Sequence, residues 1–148
     1  MKKTFIRVRS IKDIAISASL IMTGGILIAL PSHAGVNIAG FFMIFAGIIM
    51  TIVLRTGYRD TETGERYMKR EHYFPQVMRP FISVALDSRP ESIDLSRSEQ
   101  GNALKLDVYF SRRSGKAYLQ LSEYVPYRYE PCTGMYEHPL AEVGFLVK

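Results

Sequence analysis

Two long apolar runs dominate the first third of the chain: residues 14–30, IAISASLIMTGGILIAL, and residues 36–54, VNIAGFFMIFAGIIMTIVL. As helices they would be roughly 25 Å and roughly 28 Å long, close to a bilayer hydrocarbon core of about 30 Å. The five residues between them, PSHAG at 31–35, have turn chemistry: proline stops a helix and glycine permits a sharp reversal. So short a link makes the two helices antiparallel neighbours. Ala15, Ala18, Ser19 and Gly25 in the first run and Gly40 and Gly47 in the second are small enough to let the backbones approach closely.

Beyond residue 54 the pattern changes. Residues 55–74 read as a strand pair reversing at Thr61-Glu62-Thr63-Gly64. In 75–86, PQVMRPFISVAL, a helical period puts Val77, Phe81, Val84 and Ala85 on one face, with the regular helix starting near Met78 because of Pro75 and Pro80. Residues 87–102 are polar and read as a connection. Leu104, Leu106, Val108 and Phe110 then alternate with Lys105, Asp107 and Tyr109. After the turn SRRSGK, Ala117, Leu119 and Leu121 alternate with Tyr118, Gln120 and Ser122. Period two on both sides of a glycine turn predicts a β-hairpin with one apolar and one tyrosine-bearing polar face. The proline-rich segment 126–139 is expected to be irregular, and 140–147 to dock as a last strand or short helix. The expected architecture is therefore a two-helix transmembrane hairpin (14–30 and 36–54), preceded by a basic arm (1–13) and followed by a small α+β domain (55–148). In that domain one helix covers an antiparallel sheet.

Charge sharpens this division. The net charge is +5, yet residues 14–54 contain no Asp, Glu, Lys or Arg. The arm holds five basic side chains against one acid, which leaves fourteen basic and thirteen acidic side chains for 55–148. A nucleic-acid binder concentrates basic charge in its folded domain, so no nucleic-acid partner is expected. Lys2, Lys3, Arg7, Arg9 and Lys12 before the first run, with Arg55 and Arg59 after the second, flank the hairpin, while the PSHAG turn has no Lys or Arg. By the positive-inside rule both termini face the cytoplasm, and a bacterial inner membrane is the expected address. The arm itself suits a membrane surface with anionic headgroups. A competing reading takes the first run as a signal peptide cleaved after Ala34, with Ser32 and Ala34 at the small-residue positions. Against it, the run is longer than a signal core and a second spanning run follows at once.

Candidate chemistry is sparse. Cys132 is the single cysteine, and His33, His72 and His138 match no metal-ligand spacing. No nucleophile motif or phosphate loop is present. No catalytic residue, metal, cofactor or small-molecule ligand is expected, and the chain is read as not an enzyme. What stands out is tyrosine: Tyr118, Tyr124, Tyr127, Tyr129 and Tyr136 fall within 19 positions, interleaved with Arg128 and flanking acids. Tyrosine offers large amphipathic area and is enriched at protein interfaces. These residues form the candidate contact surface of a membrane-anchored accessory protein, whose partners are the bilayer and a protein partner or a second copy. The alternatives are a membrane-surface enzyme acting on lipid or envelope material and a processed envelope protein.

Overall fold

The computed structural model describes residues 3–31, 33–98 and 103–148. Lys2, Ser32 and the end of the polar connection at 99–102 lie outside them. The chain divides into two compact units, Ile6–Arg59 and Met1–Phe5 with Asp60–Lys148.

The first unit holds the two long apolar helices, α1 (Ile11–Ala29) and α2 (Ala34–Val53). Both are long and apolar enough to cross a membrane. Each starts two or three residues earlier than the apolar runs suggest. For α1 the cause is local: Ser10 accepts from Asp13 N (3.2 Å) and Asp13 Oδ2 accepts from Ser10 N (2.9 Å), a capping box that pulls the start back to Ile11. The helix contact runs through small residues, although not all of those expected. A Cβ on Gly24 would lie 2.6 Å from the Gly40 carbonyl oxygen, and one on Gly40 would lie 2.8 Å from the Gly24 oxygen. Gly47 lies over Ser17 and Ile21. Ser17 and Gly24 are spaced as Gly40 and Gly47 are, so the two pairs meet in antiparallel register. Ala15, Ala18 and Ser19 are exposed, and Gly25 has open space around it. The polar half of the α1 seam therefore belongs to Ser17, one helical turn from Asp13.

The stretch before α1 is a strand, β1 (Phe5–Val8), where an arm lying along a membrane surface was expected. Its neighbour is β2 (Gly57–Asp60), which follows α2. Asp13 is almost wholly buried. Its Oδ2 accepts from Thr56 N (2.8 Å) and its Oδ1 from Thr56 Oγ1 (2.7 Å), so one carboxylate caps α1 and ties it to the chain leaving α2. Thr56→Val keeps the shape and removes one charge-assisted hydrogen bond. It should cost about 1.5 kcal/mol and speed amide hydrogen exchange at residues 10–14 and 56; unchanged exchange there would show that the knot contributes nothing.

In the second unit β3 (Arg66–Phe74), β4 (Leu104–Ser111), β5 (Lys116–Val125) and β6 (Arg128–Pro131) run antiparallel in that order, and β7 (Tyr136–Pro139) also pairs with β5. The proline-rich segment thus contains two short strands where irregular chain was expected. Beyond β4, the other side of the ten-residue β5 still needs hydrogen-bond partners. β6 takes positions 122–125 and β7 takes 116–119. Between them Cys132 N donates to the Leu121 oxygen (2.9 Å) and Leu121 N to Thr133 Oγ1 (3.0 Å), which leaves no orphan on that residue.

The alternation in β4 and β5 holds. Leu104, Leu106, Val108 and Phe110 face Ala117, Leu119 and Leu121 across the core side of the sheet. The cover is α3 (Arg79–Ser88), entered through a 3-10 turn at Gln76–Met78. Met78 of the turn and Ile82, Ala85 and Leu86 of the helix enter the core; of the expected face Val77, Phe81, Val84 and Ala85, only Ala85 is buried. The last segment docks as a short helix, α4 (Leu140–Val143), and a 3-10 turn, adding Val143, Leu146 and Val147. Two histidines tie these covers to the sheet. His72 Nε2 donates to the Leu146 oxygen (2.5 Å), and His138 Nε2 to the Leu86 oxygen in the last turn of α3.

Candidate functional site

Tyr67, Tyr73, Tyr109 and Tyr118 lie on the opposite side of the same sheet from α3, whereas Tyr136 lies on the core side. Strand period two places Tyr67, Lys69, Glu71 and Tyr73 of β3, Lys105, Asp107 and Tyr109 of β4, and Tyr118 of β5 on that side, in register. The charges cluster. Lys69 Nζ lies 3.1 Å from Asp107 Oδ1 and 2.9 Å from Glu71 Oε1, and Lys105 Nζ lies 3.6 Å from the same Asp107 oxygen. Burial pushes the Asp107 carboxyl up and the two lysines oppose it; the net direction is upward. For Glu71, at the exposed margin, the lysine contacts and the Tyr73 hydroxyl outweigh desolvation and hold the carboxyl down.

Aromatic rings cover this cluster. Phe5 stacks on Tyr109 with ring centres 4.4 Å apart, and its edge meets Tyr67 at 5.2 Å and Tyr118 at 5.8 Å. Tyr129 packs on Tyr73 at 5.9 Å with Lys105 Nζ 5.1 Å from its ring centre. Burial, with smaller contributions from nearby groups, raises the Tyr67 and Tyr73 phenols to about 12. These hydroxyls therefore stay protonated at neutral pH and act as hydrogen-bond donors, Tyr73 to Glu71 at 2.9 Å.

Next to the rings sits an ion pair that the sequence did not single out. Asp60 is completely buried, and Lys3 Nζ contacts its Oδ2 at 2.6 Å. Glu62 N and Thr63 Oγ1 also donate to it, each at 3.0 Å. Lys3 lies 5.2 Å from the centre of the Tyr118 ring. It is thus committed to the sheet unit, whereas Arg7, Arg9, Lys12, Arg55 and Arg59 are exposed.

The expected contact residues separate accordingly. Tyr118 is only 4% exposed, because Phe5, Tyr67 and Lys3 close over it, and so it is removed from the contact surface. Tyr136 is half-buried against the core. Four remain at the β5–β6 reversal: Tyr124, Tyr127, Arg128 and Tyr129. Tyr127 is 98% exposed. It also has φ 70°, the one non-glycine among the described residues on the positive side. Gly64 and Gly115 take that conformation at the turns before β3 and β5, where no Cβ opposes it. Pro126 followed by positive φ matches a type II turn, whose third position favours glycine or asparagine. Tyr127 N donates to the Tyr124 hydroxyl (3.2 Å), Tyr124 meets Tyr129 edge to face at 5.3 Å, and Arg128 pairs with Glu130. The tip is therefore a braced pair of tyrosines carrying a third, Tyr127, whose backbone is tied to Tyr124 and whose ring is exposed.

Among the described residues no three His, Cys, Asp or Glu side chains converge in a way that could hold a metal ion. Burial raises the Cys132 thiol, whose Sγ contacts the Leu121 oxygen at 3.5 Å, so it is poorly ionised as a nucleophile. What the arrangement offers chemically is amphipathic area, a guanidinium and hydroxyl donors. Comparison with protein-family models, with curated proteins and with solved structures returned no match.

Proposed function

We propose that this protein is a membrane-anchored accessory subunit. Its helical hairpin sits in the bilayer of a bacterial inner membrane with both termini cytoplasmic, and its α+β unit presents the β5–β6 tip to a protein partner. The hairpin part rests on two helices of sufficient length and apolarity, with basic side chains at the outer ends and none in the turn. The contact part rests on Tyr127. A bulky residue held at φ 70° carries a cost of about 1 kcal/mol; the bond from its N–H to the Tyr124 hydroxyl would form with any residue here, and its own fully exposed ring adds nothing to offset the cost. Such a cost is kept where the side chain is needed.

The test separates fold from contact. Asparagine adopts this conformation readily, so Tyr127→Asn should leave the full-length protein as stable as wild type, or more stable by about 0.5 kcal/mol. Stoichiometric recovery of the partner in mild detergent should fall several-fold. Equal recovery with both proteins, or a wild-type protein that purifies alone and monodisperse, would discard the contact reading.

A further inference from the structure

Helix α3 is apolar on two sides, and only one of them is used by the core. Val77, Phe81 and Val84 are 77%, 77% and 68% exposed at spacing i, i+4, i+7. Among the described residues of the sheet unit, the other exposed large apolar side chains are Tyr127, Tyr124 and Met68, the last two less exposed than this stripe. A shallow cleft runs along each side of the Phe81 ridge. One, of ≈ 380 Å³, is lined by Pro80, Val84 and Arg89 among others; the other, of ≈ 520 Å³, by Val77, Ile93 and Arg97 among others. Each cleft thus has an apolar floor and one exposed arginine. The acid beside the second, Asp94, accepts from Ser96 N (2.9 Å) and caps its own turn.

We infer that this stripe is a membrane-surface contact: Val77, Phe81 and Val84 enter the headgroup–acyl boundary, and Arg89 and Arg97 meet lipid phosphates. The inference rests on the hairpin reading above. Given that reading, three features favour phospholipid over a protein occupant. First, Asp60, the first residue of the main body of the sheet unit, follows the last α2 residue, Val53, by seven positions. That is at most roughly 25 Å of extended chain, so the sheet unit begins close to where the hairpin leaves the bilayer. Second, an apolar ridge with a flexible cation on either side is the pattern of an interfacial helix: the arginine stems lie along apolar surface while their guanidinium groups bind phosphate. Third, α3 lies on the opposite side of the sheet from Tyr67, Tyr73, Tyr109 and Tyr118, so seating α3 on lipid leaves that side free for a partner.

The chain contains no tryptophan, so Phe81→Trp introduces a unique fluorophore at an exposed position. The full-length variant would be placed in phosphatidylcholine–phosphatidylglycerol vesicles, with Val84→Trp as a second reporter on the stripe and Phe45→Trp reporting on α2. The expected result is strong quenching of Phe81→Trp and Val84→Trp by lipid labelled near the headgroup, at least several-fold above quenching by aqueous iodide. Phe45→Trp should be quenched by lipid labelled deep in the acyl chain. Stripe reporters open to iodide and indifferent to labelled lipid, with Phe45→Trp still quenched, would overturn the inference and leave the hairpin standing. Stripe reporters shielded from both quenchers would also overturn it, because a second copy or another protein then covers the stripe. A Phe45→Trp signal untouched by labelled lipid would overturn the hairpin reading and this inference together.

Discussion

Gly40→Leu should break the helix hairpin apart while Gly25→Ala leaves it intact. At Gly40 a Cβ would lie 2.8 Å from the Gly24 oxygen, 2.9 Å from Ile28 Cγ1 and 3.1 Å from Leu27 Cβ. The first of these is backbone on a helix that makes the reciprocal contact at Gly24, so neither side can yield locally. Overpacking in a well-packed interior costs 1–3 kcal/mol and occasionally more; with backbone on both sides a cost of at least about 3 kcal/mol is expected. Gly25 is adjacent in sequence to Gly24 but has nothing within 4 Å of its would-be Cβ. Alanine there should be neutral or should gain a few tenths of a kcal/mol from helix propensity, about 0.5 at most. The distance between spin labels placed on the exposed Ile26 of α1 and Ile38 of α2 in a Cys132→Ser background, measured in bilayers, reads the helix contact without requiring that either helix unfold. A longer and broader distance in Gly40→Leu, and an unchanged one in Gly25→Ala, is the expected pair. An unchanged distance in Gly40→Leu would mean that the helices do not meet there.

The second large effect is expected at the buried ion pair. Asp60→Asn keeps the shape and an acceptor for Glu62 N but removes the charge that holds Lys3. Removing one partner of a fully buried pair costs 3–5 kcal/mol; because Lys3 keeps some solvent and has Glu62 at 3.6 Å, about 2 kcal/mol is expected at neutral pH. The pH dependence has a definite sign. Burial by itself would raise the Asp60 carboxyl. The Lys3 ammonium, Glu62 N and Thr63 Oγ1 outweigh it and hold the carboxyl below its ordinary value. Its stabilisation is therefore present above the unfolded carboxyl pKa of about 3.9 and is lost as pH falls through the lower folded value. The hydrogen bond to Asp60 in turn raises Lys3, so the stabilisation from the lysine side is full below about pH 10, where a free lysine deprotonates, and is lost only as pH rises from there through the higher folded value. Wild type and Asp60→Asn should differ most between about pH 5 and pH 9, and the gap should shrink as pH falls below about 3.9 and close once pH is below the lowered folded value. Denaturant unfolding of the full-length protein across that range measures the gap; a gap that stays constant down to the acid limit would rule out the ion pair as its source.

The ion pair also explains the loss of Tyr118 from the contact surface. Lys3 and Phe5 stand more than a hundred positions before Tyr118, yet they fill the space above its ring. The β4 and β5 alternation correctly put Tyr118 on the side away from α3. Which tyrosines on that side stay open was decided by the N-terminal residues that cover it. At the surviving tip Tyr124 and Tyr127 stay open because they lie beyond the stretch over which β4 (Leu104–Ser111) pairs with β5, while Tyr129 is partly covered by Tyr73 and Lys105.

The local pattern carried most of the elements. The two apolar runs, the turn at residues 61–64, the helix start near Met78 and the alternation through β4 and β5 follow from spacing and turn chemistry within a few residues, and the structure has them all. Tertiary packing decided everything that depends on which of two equivalent local choices meets a partner. Through the 3-10 turn and α3 the residues 77, 81 and 84 and the residues 78, 82 and 85 have the same sequence spacing, one position or about 100° apart on a helix, so period alone could not tell the buried stripe from the exposed one. In α1 the small residues lie on several sides, and only the reciprocal contact of Gly24 with Gly40 selects the seam. Two short proline-flanked strands exist because the long β5 needed hydrogen-bond partners along its outer side. Asp13 and Asp60 each have local partners, Ser10 for the first and Glu62 with Thr63 for the second, which signal a helix cap and a turn; their burial depends on contacts 43 and 57 positions away, which local spacing does not show.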